Sequence, residues 1–463
     1  MNSLKNLFDQ LGEAQSPMTI WTTTTEGELG YAFGSDGGVV SELAKTMSYF
    51  NPALAFHVKE ADAIQVIVKI QQTKKVQAKI ENWDVNEIRT RFEKIKSIIV
   101  ENKSGIAGLE GHFQGTTRKF QMQWSVEPVL QILEQLLSHS EKFDVASAKG
   151  LVGAITPKAS SFYEIGWRIL YSIFHKDGVL IKPATETALS AVIWQEILRD
   201  CDLPEGLVGF VFGSGDTVGK LLFDHPGVRN LSFSGSYDTL KSYQLTLEKK
   251  YQLFFNGKNA VCVLSDFDFK NQMKNIVQLF VEHNGRSVFS PSRLFVIDTL
   301  EKEFKIALAA YLLNLPTLSS VDDEFGYLPL RDSEKKKMAE IKGRFESEEA
   351  KIIYGNENFL FYSDLANCSE LYQENLELPI YNLTAVKYSH EMAKWLNNSS
   401  FGHSVVIFGP EEKSKKLAMK SEVGKVILNP MPLKNEWVNP VKMSGFGEVD
   451  STIPNSFYSY VKA

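Results

Sequence analysis

A glycine-marked loop carries the side chains of this sequence that are most suited to chemistry. It lies in residues 284–296, NGRSVFSPSRLFV, between an apolar run and a run of β-branched and aromatic residues typical of a strand. Ser287 and Ser290 flank Val288 there, and a serine hydroxyl attacks a carbonyl only when a neighbouring base takes its proton. No base stands directly beside either serine. We therefore predict that both serines cap loop turns.

The three cysteines are the other candidate nucleophiles. Cys201, Cys262 and Cys368 show neither the paired spacing of a disulfide framework nor the spacing of metal ligands. Cys262 lies in an apolar run, Cys201 closes a predicted helix, and Cys368 lies in a predicted surface segment. We predict that Cys262 is buried and inert, that none of the three is a nucleophile, and that the chain holds no metal.

Composition excludes several classes of function. The 463 residues allow more than one domain, and the net charge of −6 offers no basic face for nucleic acid. No apolar run approaches the roughly 18 residues that cross a bilayer. The first residues carry no apolar core of a secretion signal. These features, with the few cysteines, predict a cytoplasmic protein that binds neither membrane nor nucleic acid.

The hydrophobic pattern changes near residue 150. Before it, residues 83–101 and 126–137 have the three- and four-residue spacing of amphipathic helices, and another helix is predicted from about Lys59. After it, predicted strands at 151–155, 179–181, 207–212 and 231–233 alternate with helices. That alternation predicts a parallel sheet covered on both faces. The charge run 332–342 is predicted to be a solvated helix face, and residues 1–55 show no clear role.

Seven short motifs, in order over about residues 150–447, resemble those of the aldehyde dehydrogenase superfamily. They include a strand ending in Lys-Pro-Ala, a Leu-Pro-x-Gly turn, a glycine pair, a Ser-Gly-Ser turn and a C-terminal Lys-x-Ser-Gly-x-Gly. A single Gly-x-Gly would be weak support, whereas seven motifs in register are specific. The matching residues are 179–184, 203–206, 213–215, 225–226, 233–236, 257–260 and 442–447, with Glu377 at the start of an eighth, partial match.

The resemblance implies an α/β fold of the aldehyde-dehydrogenase type. Residues 56–253 would form a Rossmann-like nucleotide-binding domain, with a short arm connection at 138–149. Residues 254–430 would form a second, catalytic-type α/β domain. Residues 431–463 would be a C-terminal segment with the strand of a small β oligomerisation arm, and the family expectation is a homodimer.

The same resemblance locates three catalytic positions, and none holds a reactive side chain. The family's pattern is Gly-Gln-x-Cys with Ser-Arg four residues after the cysteine, so Gly285 and Ser292 both place the nucleophile at Val288. The general base falls at Phe254 and the oxyanion-binding asparagine at Ala159. The family's covalent route needs a thiolate, a base and an oxyanion donor. We therefore predict no catalytic residues of the standard kind.

The cofactor positions keep more of the family's pattern. Lys182 matches its ribose-binding lysine, and Glu377 matches its nicotinamide-ribose glutamate. Gly235 and Ser236 match a loop-to-helix start suited to a pyrophosphate. Candidate contacts are Lys182, Thr185, Gly215, Gly235, Ser236 and Glu377.

Two points about these positions stay open. Thr185 replaces an acidic residue that favours NAD, so it weakly favours NADP. Alternatively, Lys182 is a strand-end lysine whose ammonium reaches solvent and Ser236 is only a helix N-cap. NAD or NADP is the expected cofactor if one binds.

Three functions are consistent with this pattern. The favoured one is an aldehyde-dehydrogenase-like pseudoenzyme that binds a nucleotide or a small apolar ligand without thiol-dependent aldehyde oxidation. The alternative is an active NAD(P)-dependent oxidoreductase that acts on an aldehyde or acyl substrate with rearranged catalytic groups. A third possibility is a structural partner of an active paralogue, through residues 456–463. Phe254, Val288 and Phe289 favour a filled substrate tunnel over an open apolar pocket.

Overall fold

The computed structural model describes residues 3–13, 17–22, 29–33, 44–51, 53–138, 150–255, 257–282, 284–287, 290–365, 369–373, 376–429, 441–442 and 445–446. The chain forms two compact units, and it passes from the first to the second between Leu253 and Phe254. Residues 441–442 and 445–446 belong to the second unit. Residues 139–149 of the predicted arm connection, Cys368 and the predicted C-terminal strand 456–463 lie outside the described residues.

The N-terminal region, whose role could not be predicted, contains a helix and a small sheet. The sheet order is β2-β1-β4-β3, with β1 parallel to β4 and antiparallel to β2. The elements are α1 (Ser3–Glu13), β1 (Met18–Thr22), β2 (Leu29–Phe33), β3 (Ala44–Met47) and β4 (Ala55–Lys59). The helix expected from about Lys59 therefore begins later, because β4 occupies that position.

A helical layer follows. Its elements are α2 (Ala63–Gln77), α3 (Val85–Gln114), α4 (Arg118–Gln121), a π-helical turn (Met122–Val126) and α5 (Glu127–Ser138). Asp62 and Asp84 begin α2 and α3 with capping boxes, in which the aspartate accepts from backbone N–H groups of the first turn. The two predicted helices at 83–101 and 126–137 are confirmed, although α3 continues to Gln114.

The sheet of the first unit confirms the predicted strand and helix alternation. Five of its strands lie in the order β9-β8-β5-β6-β7, and β5 is parallel to both β6 and β8. The strands are β5 (Leu151–Ile155), β6 (Val179–Lys182), β7 (Val208–Phe210), β8 (Val228–Gly235) and β9 (Lys250–Phe255). Because the chain runs outward from β5 to β7 and then returns to β8, the strand order reverses beside β5.

Helices and tight turns connect these strands. They are α6 (Ser161–Phe174), a 3-10 turn (Thr185–Thr187), α7 (Ala188–Arg199), a π-helical turn (Gly215–Gly219), α8 (Lys220–Asp224) and α9 (Tyr237–Lys241). The longer helices α6 and α7 are buried along nearly their whole length. They cover the sheet, as a parallel sheet requires.

The second unit contains a seven-stranded sheet in the order β12-β13-β14-β11-β10-β16-β17, in which only β12 is antiparallel to its neighbour. Its strands, together with the remaining short ones, are β10 (Asn259–Val263), β11 (Pro291–Ile297), β12 (Lys351–Gly355), β13 (Leu360–Ser363), β14 (Ile380–Val386), β15 (Phe401–Gly402), β16 (Ser404–Phe408), β17 (Lys425–Leu428), β18 (Val441–Lys442) and β19 (Gly445–Phe446).

The helices of the second unit are α10 (Phe269–Val281), α11 (Asp298–Leu313), α12 (Asp332–Ser347), α13 (Glu370–Gln373), α14 (Ser389–Asn397) and α15 (Glu411–Ala418). They cover two apolar clusters of buried side chains in this unit. The predicted charge run lies on α12, which buries only Met338, Ile341 and Phe345. Within the described residues, no helix has the length and apolar character needed to cross a membrane.

Candidate functional site

The predicted nucleophile loop connects α10 to β11, as the sequence indicated. Asn284 and Gly285 adopt left-handed backbone conformations, with φ of 49° and 70°. A Cβ on Gly285 would overlap the carbonyl oxygen of Leu378 and lie 3.0 Å from the nitrogen of Pro379. The loop therefore packs directly on the backbone that follows Glu377, which itself has a φ of 51°. Val288 and Phe289 lie outside the described residues.

The two loop serines contact each other. The backbone N–H of Ser287 donates to Oγ of Ser290 at 3.2 Å, and the N–H of Ser290 donates to the carbonyl of Ser287 at 3.0 Å. Ser290 is buried. The Oγ of Ser290 therefore caps the backbone at Ser287, which confirms the predicted role of Ser290.

Both described cysteines are buried free thiols. Cys201 donates from Sγ to the carbonyl of Ile197 at 3.0 Å, and burial raises the pKa of its thiol to about 12. Cys262 lies inside β10, and burial raises the pKa of its thiol to about 12 as well. Both groups stay protonated at neutral pH, and only the thiolate is a strong nucleophile. The prediction that Cys262 is buried is confirmed, and its raised pKa agrees with the prediction that it is inert.

The base and oxyanion positions hold side chains that cannot do the work of those groups. Phe254 is half-buried in β9. Ala159 is half-buried in the turn between β5 and α6. A phenyl ring takes no proton, and a methyl group donates no hydrogen bond to an oxyanion. These positions therefore supply neither general-base catalysis nor oxyanion stabilisation.

Lys182 ends β6 and is buried, with only 6% of its surface exposed. Its Nζ donates to the carbonyl of Pro183 at 3.3 Å. Burial lowers the pKa of the ammonium to about 8, and the charges of Glu186 and Glu60 partly oppose that effect. The alternative in which this side chain reaches solvent is therefore wrong. A buried ammonium with one long hydrogen bond is poorly satisfied.

Thr156 lies beside Lys182 and was not identified from the sequence. Its backbone N–H donates to the carbonyl of Lys182 at 3.1 Å, while its buried Oγ1 has no hydrogen-bond partner among the described residues. The two side chains stand at the carboxyl ends of β5 and β6, where the strand order reverses. Ligands of open α/β sheets bind in the crevice outside these ends. The sequence signal that could have identified Thr156 is a polar residue directly after the apolar strand 151–155.

Among the remaining predicted contacts, the side chain of Ser236 has a structural partner of its own. Oγ of Ser236 accepts from the N–H of Thr239 at 3.1 Å, which confirms its role as the N-cap of α9. Gly235 ends β8 immediately before it. Thr185 is half-buried in the 3-10 turn that follows Lys182 and Pro183.

Tyr243 covers the turn that contains Gly215. Its hydroxyl donates to the carbonyl of Gly215 at 2.9 Å and would lie 2.5 Å from a Cβ on Gly219. Its ring packs on Phe223, with ring centres 4.7 Å apart. The glycine turn is therefore occupied by a tyrosine from the same unit, and its backbone at Gly215 already has a partner.

A buried ion pair next to the Ser-Gly-Ser turn was also missed from the sequence. Arg168 is fully buried, and its guanidinium contacts Oε2 of Glu164 at 2.6 Å, Oγ of Ser234 at 2.6 Å and Oγ of Ser232 at 2.8 Å. The side chain of Glu164 is 15% exposed and also accepts from Oγ of Ser234 at 3.2 Å. The sequence signal that could have identified this ion pair is the four-residue spacing of Glu164 and Arg168 on an otherwise apolar helix.

The first unit has an open sheet whose strand order reverses beside β5, and the second has a mainly parallel sheet covered by helices. These features define a doubly wound α/β fold. The model of the aldehyde dehydrogenase family matches residues 39–463, and the chain belongs to that family.

Betaine aldehyde dehydrogenase of Bacillus subtilis is 24% identical over 353 residues, which cover 72% of this chain and 72% of the relative. Retinaldehyde dehydrogenase 3 of Mus musculus is 25% identical over 295 residues, which cover 60% of this chain but only 58% of the relative. The structure of betaine aldehyde dehydrogenase from Staphylococcus aureus in complex with NAD+ superposes with a TM-score of 0.81 at 17% identity, covering 96% of this chain and 94% of that one. The similarity at that identity establishes the shared fold.

Proposed function

We propose that this chain is a nucleotide-binding member of the aldehyde dehydrogenase family that does not oxidise aldehydes through a thiol. The observation that carries the proposal is the state of its sulfur chemistry. The nucleophile position is Val288, and the two described thiols are buried and protonated. Without a thiolate at the nucleophile position no thiohemiacetal forms there, so the family's covalent route is lost.

The base and oxyanion positions support the same conclusion. Removing a single oxyanion donor typically lowers a rate by about 100- to 1000-fold. Ala159 lacks such a donor and Phe254 lacks a proton acceptor. A thiol restored at Val288 alone would therefore still have neither an oxyanion donor nor a general base. Three vacant roles in one chain favour a binding protein over a slow enzyme.

The nucleotide part of the proposal rests on the carboxyl edge of the first unit. Lys182 and Thr156 are buried polar groups with unfilled hydrogen-bonding capacity, and they lie where parallel α/β sheets hold dinucleotides. The S. aureus relative was solved with NAD+ on the same fold. Because Tyr243 covers Gly215, we assign the main contacts to Lys182 and Thr156 rather than to the glycine turn.

Calorimetric titration of the full chain with NAD+, NADP+ and their reduced forms tests this half of the proposal. At least one form should bind, and Lys182→Met should weaken binding by about tenfold or more, since a charge-assisted hydrogen bond is lost. Lys94→Met is the matched control, because Lys94 pairs with Asp202 on the surface. No heat with any of the four nucleotides would contradict nucleotide binding.

The Glu164–Arg168 pair favours one alternative, an active NAD(P)-dependent oxidoreductase with rearranged groups. Glu164 is a partly exposed carboxylate that accepts a hydrogen bond from Ser234, the neighbour of Gly235. A general base could act at this position. Turnover of an aldehyde or acyl substrate that Glu164→Gln abolishes would establish this function. The absence of turnover with either nucleotide would remove it.

A further inference from the structure

Gly219 connects Tyr243 to the proposed nucleotide site. A Cβ on Gly219 would lie 2.5 Å from the hydroxyl oxygen of Tyr243 and 3.5 Å from Cδ of Lys182. The tyrosine hydroxyl and the lysine stem therefore lie against the same point of the backbone, in the π-helical turn that precedes α8. All three residues belong to the first unit. Tyr243 is thus a neighbour of Lys182 at the carboxyl edge of the sheet.

Three contacts hold the side chain of Tyr243 over this turn. Its hydroxyl donates to the carbonyl of Gly215 at 2.9 Å. Its ring packs on Phe223, with ring centres 4.7 Å apart, and lies nearly perpendicular to Phe233, with ring centres 6.0 Å apart. Only 6% of the residue is exposed. The ring therefore fills the space over the glycine turn, and another flat group enters that space only when Tyr243 leaves it.

The segment that carries Tyr243 otherwise lies on the surface. Residues 241–242 and 244–248 are exposed, and Tyr243 is the buried residue among them. Its backbone N–H donates to the carbonyl of Leu240 at 2.9 Å, so the side chain directly follows the last turn of α9. A segment with few buried contacts opens at a lower free energy than the sheet that it covers. The tyrosine can therefore leave the glycine turn while the sheet of the first unit stays folded.

A nucleotide base resembles a tyrosine ring in shape and polarity. Both are flat, with an apolar face and a polar edge. Lys182 matches the ribose-binding lysine of the family, and the base of a nucleotide is bonded directly to its ribose. A base whose ribose is held at Lys182 therefore needs flat space beside that lysine. Tyr243 already fills such a space, and its hydroxyl already uses the carbonyl of Gly215.

We propose that Tyr243 is an internal competitor for the base of a nucleotide bound at Lys182. The bonded tyrosine closes the base position, so a nucleotide binds with its base only to the fraction of molecules in which the tyrosine has left. This competition rests on the nucleotide binding proposed above, and it means that the chain limits that binding through its own side chain. Its consequence is a sign that a purely structural tyrosine does not give. Removing this buried ring should tighten nucleotide binding while it lowers the stability of the protein.

Two variants test the competition by calorimetric titration of the full chain with AMP and NAD+. Tyr243→Phe keeps the ring but loses the hydrogen bond to Gly215, so it should bind AMP about fivefold more tightly than the wild type. Tyr243→Ala removes the ring and should bind AMP at least about tenfold more tightly. Its melting temperature should nevertheless fall, because a buried aromatic side chain is lost.

The experiment has a ligand control and a protein control. Ribose 5-phosphate lacks the base, so its affinity should be equal in the wild type and both variants. Tyr381→Phe is the matched protein control. The hydroxyl of Tyr381 also donates to a backbone carbonyl, that of Phe280 at 2.8 Å, but it lies in the second unit. This variant should keep the wild-type affinity for AMP.

The outcomes separate the competition from nucleotide binding itself. Equal or weaker binding of AMP and NAD+ by folded Tyr243→Ala would overturn the competition and leave nucleotide binding intact. If that variant fails to fold, an unchanged affinity of Tyr243→Phe would overturn the competition in the same way. Binding by the variants but not by the wild type would support the competition and contradict nucleotide binding by the natural chain. No binding of AMP, NAD+ or NADP+ by any of the three chains would overturn both.

Discussion

Gly285 is the residue whose replacement should most clearly reveal how the loop around Val288 is held. Its φ of 70° suits glycine, and a Cβ there would overlap the carbonyl oxygen of Leu378. Gly285→Ala should therefore disturb the contact between the nucleophile loop and the backbone after Glu377. Both segments belong to the second unit.

The expected decrease in the free energy of unfolding for Gly285→Ala has two parts. A left-handed conformation costs an alanine about 1–2 kcal/mol. The Cβ contact is with backbone rather than with a flexible side chain, so the loop must shift, and strained sites of this kind cost about 1–3 kcal/mol. We expect a total loss of about 2–5 kcal/mol in the free energy of unfolding of the second unit.

Urea unfolding followed by circular dichroism measures this loss. Gly343→Ala is the matched control, because Gly343 lies exposed in α12 and its Cβ would meet nothing within 4 Å. That variant should gain about 0.5–1 kcal/mol, the usual advantage of alanine over glycine in a helix. Gly285→Asn separates the two parts, since asparagine tolerates the left-handed conformation but keeps the Cβ contact. An unfolding midpoint of Gly285→Ala at or above that of the wild type would refute this account of the loop.

Three further predictions concern buried polar groups. Burial raises the pKa of Glu110 from 4.5 to about 7, so its contribution to stability is complete below about pH 4.5 and is lost as the pH rises through about 7. That loss is about 3 kcal/mol, and urea midpoints of Glu110→Gln should lack this pH dependence. In a Cys368→Ser background, Ellman's reagent should not label Cys201 or Cys262 until the protein unfolds, and fast labelling of the native protein would contradict their burial. Arg168→Met should cost about 3–5 kcal/mol in urea unfolding because it leaves a largely buried carboxylate and two buried hydroxyls without their cation, and a cost below about 1 kcal/mol would contradict the burial of the guanidinium.

The parallel sheet of the first unit was predictable because its signals are local. Short apolar runs such as residues 151–155 and 179–181 alternate with helices of regular spacing, and no distant residue has to be known to recognise them. The position of the loop between α10 and β11, and the cap at Ser236, were also set by neighbouring residues.

The N-terminal sheet was not predictable for the opposite reason. β1 is parallel to β4, more than thirty residues later, and the hydroxyl of Thr22 accepts from the N–H of Phe212 at 3.1 Å. Such pairings leave no periodic signal along the chain. The full length of α3 was missed as well, because Gly105 and Gly108 resemble helix breakers. In the structure they allow close packing against Phe8 and Arg118.

The candidate site also has a part that local sequence signals predict and a part that depends on contacts between distant segments. The prediction that Val288, Phe254 and Ala159 replace the family's catalytic groups follows from sequence register alone. The burial of Lys182, and the position of the Thr156 hydroxyl, which has no partner among the described residues, come from contacts between distant segments. Residue type can show what a position cannot do, whereas tertiary contacts decide what surrounds it.

The central claim is that this family member forms no covalent thiol intermediate with an aldehyde. Mixing the full chain with NAD+ or NADP+ and a panel of aldehydes, while recording reduced nicotinamide by its absorbance and the intact protein mass, tests it directly. We predict no burst of reduced nicotinamide and an unchanged mass. A burst accompanied by an acyl adduct on a cysteine, both lost after alkylation of the thiols, would contradict the account.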